Sequence, residues 1–218
     1  MKLFLDMTKF HLGELLSGLK LYADLMERQL KTIQEEQKQR LGEEWEAYES
    51  VFTVGLPTNL RYSILVALIA NVEWSLNYAV GLLKKRGIAL HKTPKGVSQN
   101  AHRIEFLKQQ GPSEFRHPFE EKFLALVTLR NAIVHNAGKP ERLVVAIEPI
   151  DIHLFDEKVE AAAKILYPAV VLNTSNMWIE EGFAAAWVEE AQEWLSALYD
   201  FLELRVGVEM PISQSPAT

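Results

Sequence analysis

Leu60-Arg61-Tyr62-Ser63-Ile64-Leu65-Val66-Ala67-Leu68-Ile69-Ala70-Asn71-Val72-Glu73-Trp74-Ser75-Leu76-Asn77-Tyr78-Ala79-Val80-Gly81-Leu82-Leu83 is the stretch whose reading decides the fold. Its apolar residues (Leu60, Ile64, Leu65, Val66, Leu68, Ile69, Val72, Leu76, Val80, Leu82, Leu83) leave no wide polar face, which predicts a helix at the centre of a bundle. Pro57 or Thr58 stands where a helix start is tolerated and Gly87 where a C-terminal cap belongs, so the helix is expected from about 59 to 85. Glu73 interrupts the apolar run. A carboxylate at such a position is paired, protonated or turned to a cleft. Two readings stay open for it: a salt bridge inside the bundle, or a place beside an active site.

Towards the N-terminus, Phe10, Leu12, Leu15, Leu16, Leu19, Tyr22, Leu25, Met26, Leu30 and Ile33 recur at three- and four-residue steps, predicting a helix from about Thr8 to Tyr48. Beyond Ile33 the segment Gln34–Gln39 is polar, as in a helix running along solvent. Leu41, Trp45, Tyr48 and Phe52 then return at helical spacing, which leaves a dimerisation arm as the alternative, and Gly42 marks a break or kink. A turn is expected at Gly55-Leu56-Pro57.

Towards the C-terminus, Pro94 and Gly96 mark a loop over 91–100. A short helix follows to about Gln110 and is ended by Gly111-Pro112. The next helix runs from Pro118 to Asn136, with Glu120 and Glu121 in the first turn, where the helix dipole favours them, and Gly138 and Pro140 beyond its end. Residues 142–147 and 150–154 have strand composition and would form a small hairpin across Glu148-Pro149. A helix over 156–166 stops before Pro168. Ser175, with Asn176, would cap a final helix to about Arg205 that carries Trp178, Trp187 and Trp194, as core or dimer contacts. The fold class is therefore all-α, a bundle of long antiparallel helices. It forms one domain over 1–206, made of an N-terminal helical region (8–52), core helices (57–138) and a C-terminal part (142–206), with a flexible tail over 207–218.

With 48% hydrophobic residues in 218, the chain can bury a large core unaided. It has no cysteine, which excludes disulfides, zinc-thiolate sites, iron–sulfur clusters and a cysteine nucleophile. Asp6 interrupts the N-terminal apolar run short of a signal-peptide core, and the uncharged runs are shorter than the ~20 residues of a membrane span. A cytoplasmic location without membrane contact is expected. The net charge of −6 argues mildly against a dedicated nucleic-acid binder. From Lys84 to Lys122, however, nine basic residues stand against four acidic ones, so an acidic chain carries a basic segment.

The chemistry-bearing stretch is Leu129-Arg130-Asn131-Ala132-Ile133-Val134-His135-Asn136-Ala137-Gly138. Phe119, Phe123, Leu126, Val127, Ile133, Val134 and Ala137 predict one broad apolar stripe. Arg130 falls on its core side and needs an acid such as Glu73 or an anionic ligand. Asn131 and His135 are four apart and share another face, whereas Arg130 and His135 are about 140° apart around the helix. Either the long arginine curls towards the histidine, or a second chain completes the site. The remaining histidines (His91, His102, His117, His153) lack metal-site spacing, and Gly138-Lys139-Pro140 is no phosphate loop.

Arg130-Asn131, three residues and His135, late in a helix that follows an apolar helix with an internal acid, resembles the Arg-x4–6-His motif of the HEPN superfamily. The resemblance covers about 59–138. It implies an α-helical bundle that dimerises so that two motifs meet, and a metal-independent endoribonuclease of the toxin, phage-defence or stress-effector kind. It implies RNA as substrate, no cofactor, and an antitoxin or nucleotidyltransferase as further partner. On it, Arg130 would bind the scissile phosphate, His135 would move protons and Asn131 would orient, with Glu73 and Asn136 supporting them from behind. Lys84, Lys85, Arg86, Lys92, Arg103 and Arg116 would contact the RNA backbone. Cleavage would leave a 2′,3′-cyclic phosphate and a 5′-hydroxyl. Some members of the superfamily are binding or assembly modules, so a non-catalytic module for RNA, a nucleotide or a partner protein is the alternative.

Overall fold

Gly42 turns the chain back on itself. The computed structural model describes residues 2–110, 114–137, 157–172 and 177–206, with residues 2–5, 135–137 and 204–206 described as backbone. Helix α1 (Lys2–Leu41) runs about 60 Å. It ends at Gly42, whose φ of +52° is a left-handed conformation that disfavours any side chain. A 3-10 turn (Gly42–Glu44), the short helix α2 (Trp45–Ser50) and a wide π-helical turn (Val51–Gly55) lead into α3 (Leu56–Lys84). The reversal is held by buried Trp45 stacking on Phe52 at 5.9 Å and by Gln34 Nε2 donating to the Phe52 carbonyl at 2.7 Å.

The expected turn at Gly55-Leu56-Pro57 is therefore helical. Pro57 lies in the first turn of α3, where its missing N–H deprives the helix of nothing. Between α1 and α3, Gly42 alone has the positive φ that a sharp reversal requires. The first helix also begins earlier than its periodicity suggests. Of the apolar residues counted on it, Leu12, Leu16 and Leu30 are buried, while Phe10, Leu15, Tyr22 and Leu25 lie on its outer side.

Four more helices follow among the described residues: α4 (Gln99–Lys108), α5 (Phe119–Ala137), α6 (Glu157–Leu166) and α7 (Phe183–Val206). Ion pairs fix their directions. Lys9–Asp200 and Lys31–Glu181, both at 2.6 Å, with Lys20–Glu189 between them, run α7 antiparallel to α1. Arg61 grips Glu27 through two N–H groups at 2.6 and 2.9 Å, setting α3 antiparallel to α1. Lys122–Glu190 at 2.7 Å does the same for α5 on α7. The core between them is close-packed. Leu16, Leu68, Ile69, Val72, Leu76, Leu107 and Leu126 are all buried, and Phe119 and Phe123 tilt onto fully buried Trp194 at 5.7 and 5.3 Å.

A two-stranded antiparallel hairpin, β1 (Val170–Leu172) and β2 (Met177–Ile179), pairs Val170 with Ile179 and Leu172 with Met177. It replaces the start of the final helix expected at Ser175. Met177 and Ile179 are buried on either side of Trp178, a period of two, and Gly182 (φ +82°) separates the strand from α7. Arg61 Nη1 donates to the Ile179 carbonyl at 2.9 Å and the Tyr62 hydroxyl to that of Met177, which docks the hairpin on the start of α3. Trp187 and Trp194 are core residues of α7, while Trp178 belongs to the hairpin. The hairpin expected over 142–154, Asn173 to Asn176, and the tail over 207–218 lie outside the described residues.

Among the described residues the fold is all-α apart from this hairpin. One window within the helical run from Asp6 to Lys84 is long and apolar enough to cross a membrane by length and composition, a test that the expectation of no span did not foresee. In the bundle, the apolar residues of α3 pack against α1, α5 and α7.

Candidate functional site

Helix α5 is started by its own preceding histidine. His117 Nδ1 accepts from the backbone N–H of Phe119 at 3.2 Å, and Glu120 in the first turn pairs with Lys108 of α4 at 3.0 Å. The helix then continues unbroken through Ala137, so the whole of Arg130–His135 sits on one rigid element. Leu129 is fully buried. Ala132 and Ile133 pack partly against the core. Asn131 is exposed, and Val134, expected in the buried stripe, is 47% exposed. His135 stands four residues after Asn131, on the same side of the helix. Its side chain and that of Asn136 lie outside the described residues.

Arg130 turns the other way. Its Nη2 donates to Glu73 Oε1 at 2.8 Å, and the two side chains are 21% and 25% exposed. This answers both sequence questions at once: the acid on α3 and the cation on α5 are each other's partners. Two residues the motif does not include complete the group. Asn100 Nδ2 donates to the same Glu73 oxygen at 2.7 Å, and Arg103 Nη1 donates to Asn100 Oδ1 at 3.0 Å. Ser98 places them by capping α4, accepting from the N–H of Ala101 at 3.1 Å. Asn100 is buried, so its amide is fixed by these two bonds. The resulting cluster sets one carboxylate against two guanidinium groups, Arg130 bonded to it and Arg103 reaching it through Asn100, and carries a net positive charge. Burial pushes the Arg103 guanidinium below its ordinary value, and the attraction of Glu73 offsets only part of this. Arg130 Nε is buried with no partner among the described residues.

The other basic residues expected at an RNA surface divide. Lys84, Lys85 and Arg86 are exposed at the end of α3, where Gly87 (φ +81°) closes the helix, and Lys92 is exposed in the following loop. None of these four joins an ion pair among the described residues. Arg116 is exposed and bound to Glu114 at 2.5 Å. Only Arg103 is joined to the motif. Asn100 could have been suspected from Ser98-Gln99-Asn100, since an amide in the first turn after a capping serine is placed to reach a neighbouring helix. Its target could not. Among the described residues, no group of three His, Asp or Glu side chains is placed to hold a metal ion.

Chemically, the cluster can hold an anion between two planar donor forks. Comparison with protein-family models, with curated proteins and with solved structures finds no match for this chain.

Proposed function

We propose that this chain is a metal-independent endoribonuclease of HEPN type. The observation that carries the proposal is the Glu73–Arg130 pair, which fixes a guanidinium beside the last turns of an unbroken helix that bears exposed Asn131 and, four residues on, His135. A ribose 2′-hydroxyl attacks the adjacent phosphorus, the P–O5′ bond breaks, and the products are a 2′,3′-cyclic phosphate and a 5′-hydroxyl. His135 takes the 2′ proton or returns one to the departing O5′, since an imidazole titrates near neutrality. Arg130 binds a non-bridging oxygen and Asn131 orients the imidazole. Asn131 and Val134 are both exposed on α5, which suits a face that meets a second copy and divides acid and base between two His135 side chains. A toxin or phage-defence role, with an antitoxin or nucleotidyltransferase as partner, belongs to the same proposal.

The test is RNA cleavage by purified protein in EDTA, wild type beside His135→Ala, with end-group analysis. Cleavage that survives the chelator, leaves cyclic phosphate and vanishes in the variant supports the reading. Mixing Arg130→Ala with His135→Ala chains restores part of the activity if the site is shared between protomers. One observation favours a second reading, a non-catalytic module for RNA, a nucleotide or a protein: the Glu73 carboxylate, itself held by Asn100, gives Arg130 a structural partner between α3 and α5. Intact RNA with both folded proteins would decide for that module.

A further inference from the structure

The outer side of α3 carries a feature that packing does not account for. Trp74, the residue after Glu73, is 47% exposed and stacks on Tyr78 with ring centroids 5.6 Å apart and planes 24° from parallel. Around it the helix surface is low. Ala70 is one turn before, Asn77 nearly one turn after, and a side chain at Gly81 would meet open space. Ala70, Asn77 and Lys84 repeat every seven residues, so they form one exposed line along the helix, with Trp74 beside it. Glu73, which holds Arg130 and, through Asn100, Arg103, lies next to this line on the helix, and Lys84, Lys85 and Arg86 end it. From Trp74 to Lys84 is about 15 Å.

We infer that this ridge is the bed of a single strand of RNA: an unpaired base stacks on Trp74, the neighbouring phosphate reaches the Arg103–Arg130 pair, and the strand continues to Lys84, Lys85 and Arg86. The inference rests on the endoribonuclease reading and names the substrate class, unpaired rather than double-stranded RNA. An aromatic ring beside a positive groove takes any base that is free to stack, whereas bases in a duplex are already stacked on one another. The charge fits as well. One carboxylate stands against two guanidinium groups, bonded to Arg130 directly and linked to Arg103 through Asn100, and each guanidinium makes a single hydrogen bond among the described residues, which leaves donors for a phosphodiester.

The experiment is binding of a labelled, uncleavable 2′-O-methyl oligonucleotide of about ten nucleotides, single-stranded and annealed to its complement, by the full chain. The wild type should prefer the single strand at least tenfold, and its tryptophan fluorescence should be quenched on binding. Trp74→Ala should weaken single-strand binding about 10- to 100-fold and remove most of the quenching, while Trp74→Phe keeps most of the affinity. Arg103→Ala should weaken binding and flatten its salt dependence by about one counterion. Equal affinity for the duplex, or wild-type binding by Trp74→Ala, would overturn the inference. So would a Trp74→Ala chain that binds RNA normally but no longer self-associates in sedimentation, since the ridge would then be a protein interface. The two proposals fail separately. Expected binding without any cleavage removes the catalytic reading and keeps the strand bed, whereas cleavage with an indifferent Trp74 does the reverse.

Discussion

Glu73 and Arg130, 57 positions apart, share a 2.8 Å hydrogen bond through one carboxylate oxygen, and that same oxygen accepts the amide of Asn100. The carboxylate thus ties α3 to α4 and α5 at a single point.

In a double-mutant cycle of Glu73→Gln and Arg130→Met, each single change should cost about 1–2 kcal/mol, a range held low because both side chains are partly solvated. The double variant should lose clearly less than the two together, since neither then strands a charge. Urea unfolding measures this. Additive losses would mean that the pair is not coupled.

Asn100→Ala removes both the bond to Glu73 and the anchor of Arg103 from a buried position. About 1–3 kcal/mol of stability should go with it. A thermal melt unchanged from wild type would show that solvent replaces the amide without loss.

Burial pushes the Tyr199 hydroxyl up to about 12, against a hydrogen bond with Ser75 that pulls the other way. The folded state thus holds a proton that the unfolded chain releases near pH 10. The stabilisation is complete below pH 10 and is lost as pH rises through about 12, an effect of about 2–3 kcal/mol. Tyr62, also raised to about 12 by burial, adds to the same window. Tyr199→Phe should therefore lose less stability than wild type between pH 10 and 12, as followed by denaturant midpoints.

Gly42→Ala and Gly18→Ala form a matched pair, since an added Cβ meets nothing within 4 Å at either site. Gly42 has φ +52°, so alanine there should destabilise by about 1 kcal/mol. Gly18 lies within α1, so alanine there should stabilise by about 0.5–1 kcal/mol. Melting temperatures that move in the same direction would contradict the conformational argument.

Trp194→Ala should cost about 3–5 kcal/mol, because it empties the space on which Phe119 and Phe123 pack. Trp74→Ala, at an exposed site, should change stability by no more than about 0.5 kcal/mol. Chemical denaturation of the two variants tests the contrast, and it also guards the RNA-binding experiment against a folding defect.

Much of the bundle is legible in the chain. The all-round apolar character of 60–83 makes α3 central, Gly87 ends it, and Pro118 with Glu120 and Glu121 opens α5 within a residue or so of where it begins. The site was legible in part. A charged residue on a core stripe demands a partner, so Arg130 pointed to an acid, and Glu73 was the acid on the neighbouring apolar helix. The errors share one cause. Ser175-Asn176 satisfied the local rule for a helix start, yet Met177–Ile179 became a strand because Arg61 and Tyr62 of α3 take its carbonyls. Gly55-Leu56-Pro57 satisfied the local rule for a turn, yet the chain had already reversed at Gly42.

The sequence by itself determined most of the residues that form helices, where most of those helices stop, and that Arg130 required an acid or an anionic ligand while Glu73 had to be paired, protonated or turned to a cleft. Those are consequences of periodicity, capping chemistry and the penalty for burying an unpaired charge, all of which act over a few residues. Only the tertiary structure decided that one carboxylate serves Arg130 directly and Arg103 through Asn100, that Val134 is exposed, and that Trp74, next to Glu73 in the chain, is left half exposed. These depend on how α3, α4 and α5 cross, and a crossing is set by side chains tens of positions apart meeting in one core, which no local pattern encodes.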